Sequence, residues 1–258
     1  MTLEQALGLA LSALLGLVMG SAVTALAYRV PRGRSWVHGR SSCPSCEAAL
    51  APRDLIPVVS FLLSRGRCRH CGARISWRYP ITELWCGAWA ALVFARVGLA
   101  PALPLLAAWG FLLVALFWID LDFQLLPDVL TLPGALLGIA AALTIPGGAR
   151  HALLGVIVGS GVLWLLAWGY LRLRGMEGMG FGDIKLAAMF GAVLGWQLTL
   201  VTLFLAALAG SIWGAVLIAR RRGGGTTALP FGTLLAPAAM VAFLWGAAWV
   251  RAYTGLFR

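Results

Sequence analysis

The 258-residue sequence is 61% hydrophobic and only 11% charged. Its apolar residues run in blocks of about twenty, the length that crosses a bilayer, which excludes a water-soluble globular enzyme. The net charge of +11 does not point to nucleic acid: the basic residues sit in loops between apolar blocks, where the positive-inside rule and anionic lipid account for them, and no basic face with aromatic and polar company is evident.

The first apolar block covers residues 5–28. No Lys or Arg precedes it, whereas Arg29, Arg32 and Arg34 follow it. That order is the reverse of a cleavable signal peptide, so it reads as an uncleaved helix with its N-terminus outside. Gly16 and Gly20 stand at the small-xxx-small spacing that lets membrane helices approach closely. Residues 29–79 differ in kind, with ten arginines, four of the five cysteines and the longest polar stretch. Further apolar blocks follow at 81–98, 102–119, 129–146, 152–171, 184–199, 200–219 and 231–252. The weakest boundary falls at Gly195-Trp196-Gln197, and Pro101, Pro104, Pro127, Pro146 and Pro230 lie at or near block ends, where proline does least damage.

The expected fold is an all-α polytopic membrane protein of about eight transmembrane helices. The first helix occupies 1–28, a soluble module 29–79, and a seven-helix membrane domain 80–258. With the N-terminus outside, all 20 basic residues except Arg96, Arg150, Arg251 and Arg258 fall on the inner side. The expected location is the cytoplasmic (inner) membrane, with the 29–79 module in the cytosol.

Cys43-Pro44-Ser45-Cys46 and Cys68-Arg69-His70-Cys71 form two Cys-x-x-Cys knuckles with 21 residues between them. Four thiolates at this spacing close a tetrahedral zinc site. Two disulfides are disfavoured in a reducing cytosol, and a redox dithiol needs only one pair. A closed four-cysteine site organises its loop and leaves no open position for catalysis. His70 reads as a solvated residue, with substitution for one of the thiolate ligands as the alternative, and Cys86, inside an apolar block, reads as a small buried one.

Only nine residues are acidic. Asp120, Asp122, Asp128, Glu177 and Asp183 all fall in two short links at helix ends on the inner side. A carboxylate in a membrane helix costs about 2.5–3.5 kcal/mol near the bilayer centre and less toward its surface. Asp183 opens a helix, where the dipole favours an anion, but Asp120 ends one, where a carboxylate is disfavoured. If the two helices are neighbours, the carboxylates face each other and share a proton, one acting as base on water and the other as acid. Gly180 and Gly182 allow a substrate backbone close to Asp183. Asp128 reads as an N-cap after Pro127 and Asp122 as a solvated acid. Lys185 tunes Asp183 or, by preference, meets lipid headgroups. The glycine-rich run Glu177-Gly178-Met179-Gly180-Phe181-Gly182 is not a nucleotide loop, since no strand of a βαβ unit precedes it.

Gly180-Phe181-Gly182-Asp183 matches the GxGD signature of intramembrane-type aspartic peptidases. Together with Ile119-Asp120, Leu126-Pro127-Asp128 and Leu130-Thr131-Leu132-Pro133, it resembles the type IV prepilin peptidases, or leader peptidases. Asp54–Phe61, Arg65-Gly66-Arg67-Cys68-Arg69-His70-Cys71 and Ile75–Leu84 resemble the N-terminal region of the bifunctional members, so the resemblance covers nearly the whole chain. It implies cleavage of the leaders of prepilins and pseudopilins by Asp120 and Asp183 at the cytoplasmic face. Asp128, Gly180, Gly182 and Lys185 support that motif. It also implies N-methylation of the new terminus with S-adenosylmethionine, tied to the cysteine loop, with Gly66, Arg67 and Glu83 as candidate contributors. Thr24 departs from the family pattern by replacing a common asparagine in the first helix. Two competing classes are an ion or proton transporter, which would bury acids near the midplane, and a non-enzymatic zinc scaffold for pilus assembly, which would leave the acids idle.

Overall fold

The computed structural model describes residues 2–35, 41–176, 178–220 and 229–256. Glu177 lies outside them. Among the described residues the chain is helical apart from short turns and two isolated β-bridges. It divides into two compact units, Met1–Leu103 and Pro104–Arg258.

In the first unit, α1 (Leu3–Arg29) begins with a capping box in which Thr2 and Gln5 satisfy each other's backbone amides. The short α2 (Val59–Leu63) lies in the connecting module, and α3 (Arg78–Val97) follows it. Helices α1 and α3 pack side by side along the predicted small-residue face. Gly16 meets the Cys86 carbonyl and Gly20 the Glu83 Cα, with no space for a Cβ at either. Cys86 is wholly buried in this contact, as expected of a small core residue.

The second unit holds α4 (Ala102–Phe123), α5 (Asp128–Ala142), α6 (Gly148–Arg174), α7 (Phe181–Ala219), α8 (Gly232–Val241) and α9 (Ala247–Gly255). A π-helical turn, Ala242–Gly246, joins the last two. The α6–α7 pair is the tightest: the backbones of Gly155 and Gly191 touch where any Cβ would collide. Trp109 of α4 donates its indole N–H to the Met189 carbonyl of α7 at 3.3 Å. Among the described residues, five elements are long and apolar enough to cross a bilayer: Leu3–Arg32, Ala102–Phe123, Gly148–Arg174, Phe181–Ala219 and Gly232–Gly255. The protein is therefore a multi-pass membrane protein.

The eight blocks of the sequence map differently onto elements. Blocks 184–199 and 200–219 belong to one 39-residue element, α7, broken at Gly195 (φ 67°, ψ 176°). Unbroken, it would extend about 58 Å, nearly twice a hydrocarbon core. His151 occupies the space a side chain at Gly195 would need, and its Nε2 lies 3.2 Å from the Val193 carbonyl. The break thus sits at the weak boundary seen in the sequence. Block 129–146 contains a helix of only 15 residues, about 22 Å long. It stops before Pro146, which has no N–H to continue it, and the chain then turns through Gly147 at φ 74°.

Candidate functional site

The two cysteine knuckles are the same hairpin built twice. The Cys43 amide donates to the Ala48 carbonyl and the Glu47 amide to the Cys43 carbonyl; Cys68, Ala73 and Gly72 repeat this pattern. Each turn needs a left-handed residue, supplied by Gly72 at φ 72° in one and by Glu47 at φ 57° in the other. The four sulfurs lie within 4.8 Å of one another, a group able to hold a metal ion. Backbone amides of Ser45 and Cys46 aimed at the Cys43 sulfur pull its thiol down to about 6. Those of Cys71 and His70 lower Cys68. The backbone thus favours the thiolate, the form a metal requires, at Cys43 and Cys68, whereas at Cys46 the Ala48 amide is outweighed by hydrogen bonding among the sulfurs, Cys71 foremost, which pushes the thiol up to about 12.

The carboxylate site lies wholly in the second unit. Asp120, in the last turn of α4, is 4% exposed, and Asp183, in the first turn of α7, is 8% exposed. Both line one cavity of about 550 Å³, with Gln124, Leu125, Leu126, Pro127, Asp128, Gly180, Gly182 and Lys185. The two are held differently. Asp120 Oδ2 accepts hydrogen bonds from the Thr233 amide at 2.6 Å and the Thr233 hydroxyl at 2.9 Å. Asp183 has no hydrogen bond to its carboxylate among the described residues.

Thr233 is the residue that sequence reasoning missed. It lies in the first turn of α8, so Asp120 sits at the unfavourable end of its own helix but at the favourable, amide-rich end of another. Gly232 completes the cradle, since a Cβ there would come within 3.0 Å of the Asp120 carboxyl carbon. The available signal was Pro230-Phe231-Gly232-Thr233, a helix-start pattern, but nothing in it names Asp120 as the partner.

One expectation is corrected. Asp128 is the first residue of α5 and makes no cap; Pro127 holds the N-cap position. Lys185 has a partner the sequence did not suggest: its ammonium binds both oxygens of Asp128 at 2.6 and 2.8 Å. The i–j separation of 57 residues hides this pair from a linear reading. It fastens α7 to α5 beside the cavity and places Lys185 5.2 Å from the Phe181 ring.

In the first unit a second cavity, of about 470 Å³, is lined by Phe61, Leu62, Arg65, Gly66, Arg67, Arg74, Ile75 and Trp77. Gly66 and Arg67 belong to it. Glu83 does not line it: its buried carboxylate accepts the Val58 amide at 2.7 Å and ties the module to α3. Thr24 turns its hydroxyl onto the Gly20 carbonyl of its own helix at 3.0 Å.

Fold and site together define a class: a multi-pass helical membrane protein with two buried carboxylates at one cavity and a four-thiol module. Residues 14–97 match the Bacterial Peptidase A24 N-terminal domain and residues 106–215 the Type IV leader peptidase family. The chain is 43% identical over 225 residues to the prepilin leader peptidase/N-methyltransferase of Aeromonas salmonicida, covering 83% of this chain and 74% of that relative. It is 37% identical over 266 residues to the proteins of the same description from Pseudomonas aeruginosa, covering 93% and 91%, and from Burkholderia pseudomallei, covering 92% and 85%. No solved structure matches it. The chain belongs to the type IV leader peptidase family and is an enzyme.

Proposed function

We propose that this protein is a membrane aspartic endopeptidase that removes the leaders of type IV prepilins and pseudopilins at the cytoplasmic face and N-methylates the new terminus. The observation that carries the reading is the presence of Asp120 and Asp183, both more than nine-tenths buried, at one cavity. Two carboxylates within each other's field share a proton. The two hydrogen bonds from Thr233 favour the charged form of Asp120, leaving the shared proton on Asp183. Asp120 then takes a proton from water as its oxygen attacks the scissile carbonyl carbon, and Asp183 gives its proton to the carbonyl oxygen. Collapse of the resulting diol breaks the C–N bond as a proton passes to the departing amine. Gly180 keeps the approach to Asp183 low, Gly182 leaves room for Leu126 where a Cβ would come within 2.9 Å of it, and the Lys185–Asp128 pair fixes the rim of the cavity.

The cytoplasmic placement rests on the charge distribution, with the arginine-rich 29–79 loop on the inner side. The four thiols suit zinc. A tetrahedron with zinc–sulfur bonds of about 2.3 Å has edges of about 3.8 Å, against 3.9 Å between the Cys43 and Cys71 sulfurs. Zinc held by Cys43, Cys46, Cys68 and Cys71 would lock the two hairpins together. S-adenosylmethionine supplies the methyl group as co-substrate. Gly66, Arg67 and Glu83 support that second activity by shaping and anchoring the module.

The test incubates purified protein with a leader-bearing prepilin and compares wild type with Asp120→Asn and Asp183→Asn. Each variant is expected to lose cleavage by about 10²–10⁴-fold. Cleavage by either at the wild-type rate rules out the aspartate mechanism. A wild type that never cleaves returns the scaffold reading.

A further inference from the structure

We propose that the cysteine module docks on the surface of the protein's own bilayer, and that its arginine-lined cavity takes the phosphate headgroup of an anionic lipid. Four observations meet here. First, Arg65, Arg67 and Arg74 all line one cavity, and no carboxylate pairs with them among the described residues. The nearby acids are occupied elsewhere: Asp54 pairs with Arg69 at 3.2 Å and Glu83 holds the Val58 amide. Three guanidinium groups match a phosphate and repel a cation such as a sulfonium.

Second, the rim of the cavity is apolar and bare. Leu62 and Trp77, which line it, are 62% and 67% exposed, Leu63 beside Leu62 is 72% exposed, and Leu55, Ile56 and Val59 of the same module are also exposed. On a water-facing module such a patch marks an interaction surface. Leucine and tryptophan beside arginine is the pattern of an element lying in a membrane interface.

Third, the module is tied to a helix that packs on a membrane-length one. The Glu83–Val58 bond joins the start of α2 to α3, and α3 packs at Glu83 against Gly20 of α1, an element long and apolar enough to cross a bilayer. The occupant is therefore at hand: the lipid of that same bilayer.

Fourth, the chain accepts unfavourable backbone to present this surface. Val58 and Arg65, at the two ends of α2, stand at φ 59° and 52°. Left-handed backbone is a genuine outlier for a β-branched residue. Phe61 packs inward over Gly66 and lies 4.8 Å from the Trp77 ring, which turns Leu62 and Leu63 outward.

The experiment measures amide hydrogen exchange in the full-length protein, in nanodiscs of phosphatidylcholine alone and of equimolar phosphatidylcholine and phosphatidylglycerol. Exchange over residues 58–67 is expected to slow by about tenfold or more in the anionic discs. Raising salt from about 0.05 M to about 0.5 M should reverse it, because the contact is screened. The triple variant Arg65→Gln/Arg67→Gln/Arg74→Gln should show no slowing, with exchange over 43–49 unchanged as the sign of an intact module. Equal exchange in the two discs, or slowing that persists in the triple variant, overturns the proposal. So does equal slowing by inorganic phosphate in neutral discs, which would make this a free-phosphate site. Should the variant disturb 43–49, the salt series on wild type decides, and protection that survives high salt overturns the proposal. The outcome does not depend on whether Asp120 and Asp183 hydrolyse peptides.

Discussion

The cysteine module and the carboxylate site are assembled in opposite ways. The module draws its four sulfurs from two stretches of four residues, and each stretch closes its own hairpin. Its chemistry is local. The carboxylate site draws on residues near 120, 128, 183 and 233, and Asp120 and Asp128 are each held by a partner far away in the chain. A local site tolerates loss of its neighbours but not of its ligands. A dispersed site is set by the helices that bring it together, so a residue outside any motif, such as Thr233, holds a motif residue in place.

Separation of the two regions gives the largest expected effect. Cys68→Ser removes one of the four thiols able to hold a metal and should reduce methyl transfer onto a pre-cleaved substrate by about a hundredfold, the upper end for a lost metal-site group. Leader cleavage in the same preparation should stay within a fewfold of wild type. Full methylation by the variant would sever the module from that activity, and a parallel loss of cleavage would deny that the regions are separable.

Thr233→Val tests the dispersed site next. It keeps the amide and the side-chain shape but removes the hydroxyl from Asp120. A hydrogen bond to a charged group contributes about 1.5–3 kcal/mol, so kcat for cleavage should fall by roughly tenfold to a hundredfold, with Thr233→Ser restoring it. An unchanged kcat would show that the hydroxyl does not position Asp120.

Lys185→Met should have a smaller effect. Asp128 is half exposed, and exposed pairs contribute about 0.2–1 kcal/mol. Cleavage should fall by less than about fivefold; a hundredfold loss would place Lys185 in the chemistry.

The smallest effect belongs to the module. Glu47→Gly relieves a left-handed residue, a strain of about 1–2 kcal/mol partly offset by added freedom of the unfolded chain. Metal release to a chelator should slow a fewfold, and faster release would show that Glu47 contributes something other than its backbone.

The same contrast explains what could be read in the sequence. The cysteine spacing alone marks a metal site, because ligand and turn are neighbours. The GxGD run and the scarcity of acids single out Asp183 and Asp120, and the structure places both at one cavity. Partnerships were not legible. Lys185 gives no sign along the chain of reaching Asp128, and Asp128 reads as a cap until its carboxylate is seen on α7. Apolar blocks of about twenty residues pointed to the membrane-length elements but not to the break inside α7. Gly195 stood out as weak, yet its left-handed backbone and the ring of His151 filling the kink are tertiary facts. The Glu47 turn also escapes notice, because only its twin at Gly72 carries the expected glycine.

The most direct measurement is a double-mutant cycle on leader cleavage with Asp120→Asn, Asp183→Asn and the pair. Two carboxylates that act as one proton-sharing unit should be non-additive, with the double variant no slower than the worse single one. Independent losses that multiply in the double variant, or either single variant at the wild-type rate, would contradict a shared catalytic pair.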